Sequence, residues 1–191
     1  MPGGTVSGAH RLIILVAGMP GSGKSVLSSI ARSMGIPVYV MGDIVREEAR
    51  RRGIEPTPEN LNRLARLLRE EHGSTVVAER TASKIASDDH SIVLVDGVRS
   101  LDEVAVFEKL GKTVIVAVHA SPRTRFERIR RRGRPGDPTT WEEFRQRDLT
   151  ELGFGLGNVI ALADYMLVNE LSLEEFEAEA KRLLSRLTGQ G

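Results

Sequence analysis

The sequence predicts an α/β domain built on a five-stranded parallel sheet with helices on both faces. Three observations carry this. Five short apolar runs rich in β-branched residues, Leu12–Val16, Val38–Met41, Ile92–Val95, Val114–Val118 and Tyr165–Val168, alternate with helical patterns. Each run is continuously apolar rather than alternating, as strands buried on both faces are. Helix-start signals recur between the runs. Thr57-Pro58 and Ser121-Pro122 each set an N-cap before a proline at the first helical position, and Ser100 with Glu103, Thr140 with Glu143 and Ser172 with Glu175 have capping-box spacing.

Composition bounds the rest. The chain has 191 residues, 40% apolar and 28% charged, which suits one domain able to bury a core without staples. With no cysteine, a disulfide scaffold, a thiolate metal site and a cysteine nucleophile are all excluded. The 27 basic and 26 acidic side chains nearly cancel to +1, which argues against nucleic-acid binding by bulk charge. Arg supplies 22 of the 27 cations. Arg grips carboxylates and phosphates bidentately, although a GC-rich genome or life at high temperature biases usage the same way. No apolar run approaches the ~18–20 residues of a membrane helix, and Met1–His10 is Gly-rich without a signal-like apolar stretch. A soluble cytoplasmic protein without a membrane partner is expected.

Along the chain, Met1–His10 reads as a flexible arm and Gly189–Gly191 as a frayed tail, leaving one domain over 11–188. The first strand runs into Gly18-Met19-Pro20-Gly21-Ser22-Gly23-Lys24-Ser25, which satisfies G-x-x-x-x-G-K-[ST], and Val26–Met34 follows as a helix. Chance yields roughly 0.006 such matches in a chain of this composition, and the strand and helix flanks are those the motif requires. The loop would turn backbone N–H groups toward the phosphates of ATP, with Gly18 to Val26 as the binding segment. Lys24 would reach the β- and γ-phosphates, and Ser25 would ligate Mg²⁺.

After the second run comes Met41-Gly42-Asp43-Ile44-Val45-Arg46, and the third ends in Asp96-Gly97-Val98-Arg99. Ligands of an open parallel sheet bind at the strands' C-terminal ends, so Gly18, Asp43 and Asp96 should converge there. Asp96, after four apolar residues, has the form of the acid that holds Mg²⁺ or its water. Two helical excursions, at about 44–85 and 123–150, are too long for simple crossovers and are expected to stand off the sheet as mobile lobes. The chain contains neither N-K-x-D nor D-x-x-G, so a regulatory GTPase is excluded.

Gly42-Asp43-Ile44-Val45-Arg46 resembles the G-D-x-x-R of adenylate kinase-type nucleoside monophosphate kinases, and Asp96-Gly97-Val98-Arg99 is similar to their D-G-x-P-R without its proline. The resemblance implies that Arg46 and Arg99 grip the acceptor's phosphate. Ala161–Asn169, followed by Leu171–Glu175, resembles the end of dephospho-CoA kinases. The whole chain, over about 11–185, resembles the archaeal nucleotide-kinase-related, dephospho-CoA-kinase-like proteins. Their M-G-D-x-x-R-E-E, H-A-S-P-x-T-R-F-E-R and E-L-G-F-G stretches match Met41–Glu48, His119–Arg128 and Glu151–Gly155. That family implies a P-loop sandwich with strand order 2-3-1-4-5, an acceptor-binding lobe at 44–85 and a lid at 123–150.

Seven arginines, Arg123, Arg125, Arg128, Arg130, Arg131, Arg132 and Arg134, crowd the lid segment. Arg125, Arg128 and Arg132 share a helix face. Lid arginines of such kinases neutralise charge on the transferred group, which makes Arg128 and Arg132, with Lys24 and Asp43, the candidate catalytic residues. Arg145, Arg147 and Asp148 lie on the next helix. Glu142, Glu143 and Asp148 are available to pair with the lid arginines, Arg50–Arg52 reads as solvated, and Trp141 as packing within the lid. His119, at the end of the fourth run, is left outside the candidate site.

The leading reading is an ATP- and Mg²⁺-dependent kinase acting on a nucleoside monophosphate or similar small nucleotide. Transfer to a ribose hydroxyl, as in dephospho-CoA kinases, is the alternative, because Asp43 offers a base beside Arg46 and Arg99. A different class is a non-catalytic or slowly hydrolysing nucleotide-binding protein associated with RNA. Intact Lys24, Ser25 and Asp96 speak against a dead site.

Overall fold

The computed structural model describes residues 11–189, so the arm Met1–His10 and the last two residues of the tail lie outside it. The elements run β1 (Leu12–Ala17), α1 (Lys24–Ser33), β2 (Val38–Val40), α2 (Met41–Arg51), α3 (Pro58–His72), α4 (Val76–Ala86), β3 (Ile92–Asp96), α5 (Leu101–Glu108), β4 (Lys112–His119), α6 (Pro122–Arg132), α7 (Trp141–Gly153), α8 (Leu156–Ala161), β5 (Tyr165–Val168) and α9 (Leu173–Thr188). The strands form one parallel sheet in the order β2-β3-β1-β4-β5, as the sequence predicts.

Successive side chains of β1 point to opposite faces, and both faces are covered. Ile13 and Leu15 pack under α2–α5 and α8, while Ile14 and Val16 pack under α1 and α9. That is why the strand reads as an unbroken apolar run. Parallel pairing brings every strand's C-terminal end to one edge, with the crossover from β3 to β4 flanking β1 there.

Several boundaries differ from the sequence reading. The second strand ends at Val40, and buried Met41 opens α2, so Asp43 and Arg46 sit on a helix rather than a loop. Helix α1 begins at Lys24 because Gly23, in the left-handed region, is its N-cap. Asp96 is the last residue of β3, paired with both Val16 and Val40. Thr57, Ser121, Thr140 and Ser172 cap as predicted, the last two in complete capping boxes. Ser100 caps Glu103 N, but Glu103 turns its carboxylate to Arg99 N (2.8 Å), so that box is half formed.

The first excursion does not stand off the sheet. Helices α2, α3 and α4 bury Met41, Ile44, Leu64, Leu68 and Val77 in the main core. Gly136, between α6 and α7, lies so close to Pro58 that a Cβ there would sit 2.5 Å from it. The two excursions therefore touch each other.

Arg51 and Arg52 are not simply solvated either. Both donate to the buried carboxylate of Glu48, at 2.6 and 2.5 Å, Arg80 adds a third contact, and Arg52 reaches on to Glu71. The Arg51 hydrogen bond, joined by that of Arg52 against the cost of burial, holds the Glu48 carboxyl down at about 2. This hub ties α2 to α3 and α4.

Candidate active site

A cavity of about 960 Å³ opens at the C-terminal edge of the sheet. Eight cations (Lys24, Arg46, Arg99, Arg128, Arg131, Arg132, Arg134 and Arg147) line it against two carboxylates, Asp96 and Glu151. Such a field suits a polyanion.

The donor end is made by the loop between β1 and α1. Gly18, Pro20, Gly21, Gly23, Lys24, Ser25 and Val26 line the cavity, whereas Met19 turns into the core and Ser22 is fully buried. Lys24 Nζ donates to the Gly18 carbonyl at 2.6 Å, so its ammonium lies folded along the loop. Burial pushes its pKa below the ordinary lysine value; Asp96 opposes the shift and Arg99 adds to it. Asp96 accepts from Ser28 Oγ at 2.7 Å through Oδ2 and shows no protein partner on Oδ1 among the described residues. Ser25 and Asp96 together offer a hydroxyl and a carboxylate, the hard oxygen donors that suit Mg²⁺ when phosphates and water complete its shell.

Asn169 braces this loop. Its Nδ2 donates to Ser22 O at 2.8 Å, and its Oδ1 accepts from Arg128 Nη2 at 3.1 Å. Only glycine fits at position 23, because a Cβ there would collide with the Asn169 amide. Asp164, at the other end of β5, accepts from Ile115 N at 2.7 Å and holds the strand to β4. The stretch from Asp164 to Asn169 thus fastens β5 at both ends. Arg128 Nη1 is buried and lacks a partner among the described residues.

Arg125 does not join Arg128 and Arg132 in the cavity. It is 3% exposed, bonds Asp148 at 2.8 and 2.6 Å, donates to Ala120 O and Pro20 O, and lies over Phe144. Arg132 faces the cavity but is held by Asp137, which also takes Arg147. Of the downstream acids, Asp148 pairs with a lid arginine, whereas Glu143 serves its helix cap. Trp141 packs against Phe126 and Phe144 within the lid. His119 is exposed, and it does not line the cavity.

At the acceptor end, Arg46 and Arg99 both line the cavity. Asp43 does not: its carboxylate is tied to Arg46 at 2.5–2.9 Å, and both side chains are about half exposed. Glu151 was missed in the sequence, although it opens the quoted Glu151–Gly155 stretch. It bonds Arg99 Nε at 2.9 Å across 52 residues. Nothing local signals that pair, whereas Arg147, singled out in the sequence on the helix after the lid arginines, does line the cavity.

The sheet order and the P-loop at its edge define a P-loop kinase fold. Solved structures share it. TT1252 from Thermus thermophilus superposes with a TM-score of 0.62 at 24% identity, covering 93% of this chain and 98% of that one. A shikimate kinase from Bacteroides thetaiotaomicron gives 0.62 at 17% with the same coverage, and a gluconokinase from Sinorhizobium meliloti gives 0.52 at 21%, covering 95% and 96%. A family model described as an AAA domain matches residues 17–145. A UPF0200 protein of Staphylothermus marinus is 57% identical over 92% of each chain, and one of Methanocaldococcus jannaschii is 46% identical over 92% of this chain and 90% of its own. The chain belongs to the AAA-domain P-loop family and, within these relatives, to the UPF0200 proteins. No helix among the described residues is long and apolar enough to cross a membrane.

Proposed function

We propose that the protein is an ATP- and Mg²⁺-dependent kinase that passes the γ-phosphoryl group to a nucleoside monophosphate or a similar phosphate-bearing nucleotide. The reading rests on one observation: a single cavity is lined both by the P-loop with Lys24, Ser25 and Asp96 and by the two arginines Arg46 and Arg99. In this reading α2–α4 form the acceptor lobe, α6 and α7 the lid, and the enzyme works in the cytoplasm without a nucleic-acid or membrane partner.

Lys24 leaves the Gly18 carbonyl for the β- and γ-phosphate oxygens, and the loop's N–H groups hold the chain of phosphates. Ser25 and Asp96 would hold Mg²⁺, which supplies charge neutralisation between those phosphates. Arg128 brings a buried donor without a partner, and Arg132 adds charge once it leaves Asp137. Arg46 and Arg99 clamp the acceptor phosphate, which is already a competent nucleophile near neutral pH and needs no base. Against a hydroxyl acceptor of the dephospho-CoA kind stands Asp43, the candidate base, which is tied to Arg46 and does not line the cavity.

A coupled assay over AMP, CMP, UMP, GMP, their deoxy forms, dephospho-CoA, shikimate and gluconate tests this. ATP-dependent transfer to a monophosphate is expected. Transfer confined to a hydroxyl acceptor, or ATP hydrolysis indifferent to every acceptor, would overturn it.

A further inference from the structure

Resting on that reading and deepening it, we propose that Glu151 is a built-in competitor for the acceptor site: it occupies Arg99 until displaced, and so sets a threshold that an acceptor presenting a phosphate dianion passes and one presenting only a carboxylate does not.

The geometry places Glu151 where an acceptor anion belongs. It lines the cavity with Arg99 and bonds its guanidinium at 2.9 Å. The Arg99 backbone is fixed, because its N–H donates to Glu103, itself 2% exposed. Only the guanidinium is left to exchange partners. Glu151 is also held in place. It sits on the last turn of α7, and the chain beyond it follows Arg99 closely: Gly155 packs against Arg99 O and Ser100. Phe154 lies under the Arg69 guanidinium of α3, and Arg69 in turn reaches Glu103 at 3.5 Å. Residues 151–155 therefore join the lid helix, the acceptor arginine and the acceptor lobe.

Internal acids hold other cavity arginines too, Asp43 on Arg46 and Asp137 on Arg132 and Arg147. They are not equivalent on the acceptor side. Asp43 and Arg46 are 48% and 42% exposed, so water competes with that pair from both sides, whereas in the Arg99–Glu151 pair the guanidinium is 38% exposed and the carboxylate only 15%. Shielding strengthens the pair that must be broken.

A tethered carboxylate competes at high effective concentration. A carboxylate acceptor would exchange one monoanion for another and gain nothing at Arg99. A phosphate dianion brings twice the charge and a third acceptor oxygen, so it can prevail. Displacing Glu151 also frees the last turn of α7, which links acceptor binding to the lid.

The test uses the full chain with Mg²⁺ and a non-hydrolysable ATP analogue filling the P-loop, and titrates inorganic phosphate and acetate by calorimetry. Wild type should bind phosphate and discriminate against acetate. Glu151→Gln should tighten phosphate by about tenfold, the worth of one charge-assisted hydrogen bond, and raise acetate binding by a similar factor. Adding Arg99→Ala to Glu151→Gln should erase the gain, and Glu151→Asp, which keeps the charge on a shorter arm, should fall between. Unchanged phosphate binding in a folded Glu151→Gln protein, or a gain that survives Arg99→Ala, overturns the proposal. Binding is read without turnover, so a chain that transfers no phosphate would defeat the kinase reading while this order of affinities still decides the role of Glu151.

Discussion

The two parts of the cavity are built on different principles. The donor end is backbone: a loop whose glycines approach neighbours too closely for a side chain, braced by Asn169 on Ser22 O and by Arg125 on Pro20 O. The other part is long side chains: Arg99 with Glu151, joined across 52 residues, and Arg46, held by Asp43 of its own helix. A site made of backbone is rigid and binds whatever fits its N–H groups. A site made of paired side chains is adaptable, and its specificity lies in the pairs an entering anion must break. This explains how one phosphate loop serves folds whose acceptors differ.

If rigidity of the donor end depends on its braces, the largest effect should come from breaking the most buried one. Asp148→Asn leaves the Arg125 guanidinium buried without its counter-charge, and should cost about 3–5 kcal/mol of stability by urea unfolding. The control is Asp43→Asn, whose pair with Arg46 is about half exposed on both sides, and which should cost under about 1 kcal/mol. Equal losses would mean that Arg125 is not a brace.

Lys24→Ala should be the next largest, and confined to chemistry. Turnover should fall by about 10²–10³-fold, the usual cost of one donor to developing charge, with the unfolding midpoint little changed because its hydrogen bonds go to loop carbonyls rather than the core. Wild-type turnover in the folded variant would remove the donor-end assignment.

The same contrast decides what was legible in the sequence. The five strands and the P-loop follow from contiguous patterns, because a strand buried on both faces and a loop that cradles phosphate each write their constraint into adjacent residues, whereas the strand order came from the family resemblance. Arg46 and Arg99 were legible through the short motifs that carry them. Glu151 was not, because its partner lies 52 residues away and no spacing rule links them. The bracing role of Arg125 was not legible for a related reason: helical spacing sets it beside Arg128 and Arg132, but burial by Asp148 and Phe144 takes it out of the cavity. The tie between Asp43 and Arg46 was not legible, because it follows from the start of α2 at Met41, which places Arg46 one turn away and in contact with it.

The acceptor lobe should show its dependence on ion pairs through pH. The Glu48 carboxyl sits at about 2 against an ordinary 4.5, chiefly through the Arg51 hydrogen bond. A carboxyl held low contributes stability in full above its unfolded value and loses it as pH falls through the folded one. Glu48→Gln should therefore cost about 2 kcal/mol at pH 7, and the gap to wild type should close between pH 4.5 and 2. A gap that stays constant down to pH 2.5 would show that shape rather than charge holds the hub.

The smallest effects separate the two kinds of acceptor. If the acceptor presents a phosphate, Arg46→Ala removes a charge-assisted hydrogen bond worth about 1.5–3 kcal/mol. The exposed Asp43 pair that must first be broken gives back up to about 1 kcal/mol. The net loss in acceptor kcat/KM should be about 2- to 30-fold, carried mainly by KM. Asp43→Asn then frees Arg46 from its internal partner and should change kcat little, with acceptor KM unchanged or slightly lower. A hydroxyl acceptor reverses the order. Asp43→Asn would then strip a general base, and kcat would fall by about 10²–10⁴-fold with ATP KM unmoved. Because Asp43 is tied to Arg46 and does not line the cavity, the first pattern is expected. Steady-state kinetics of both variants on the best acceptor decide it, and a dominant kcat loss at Asp43 would show that the acceptor end activates a hydroxyl instead of gripping a phosphate.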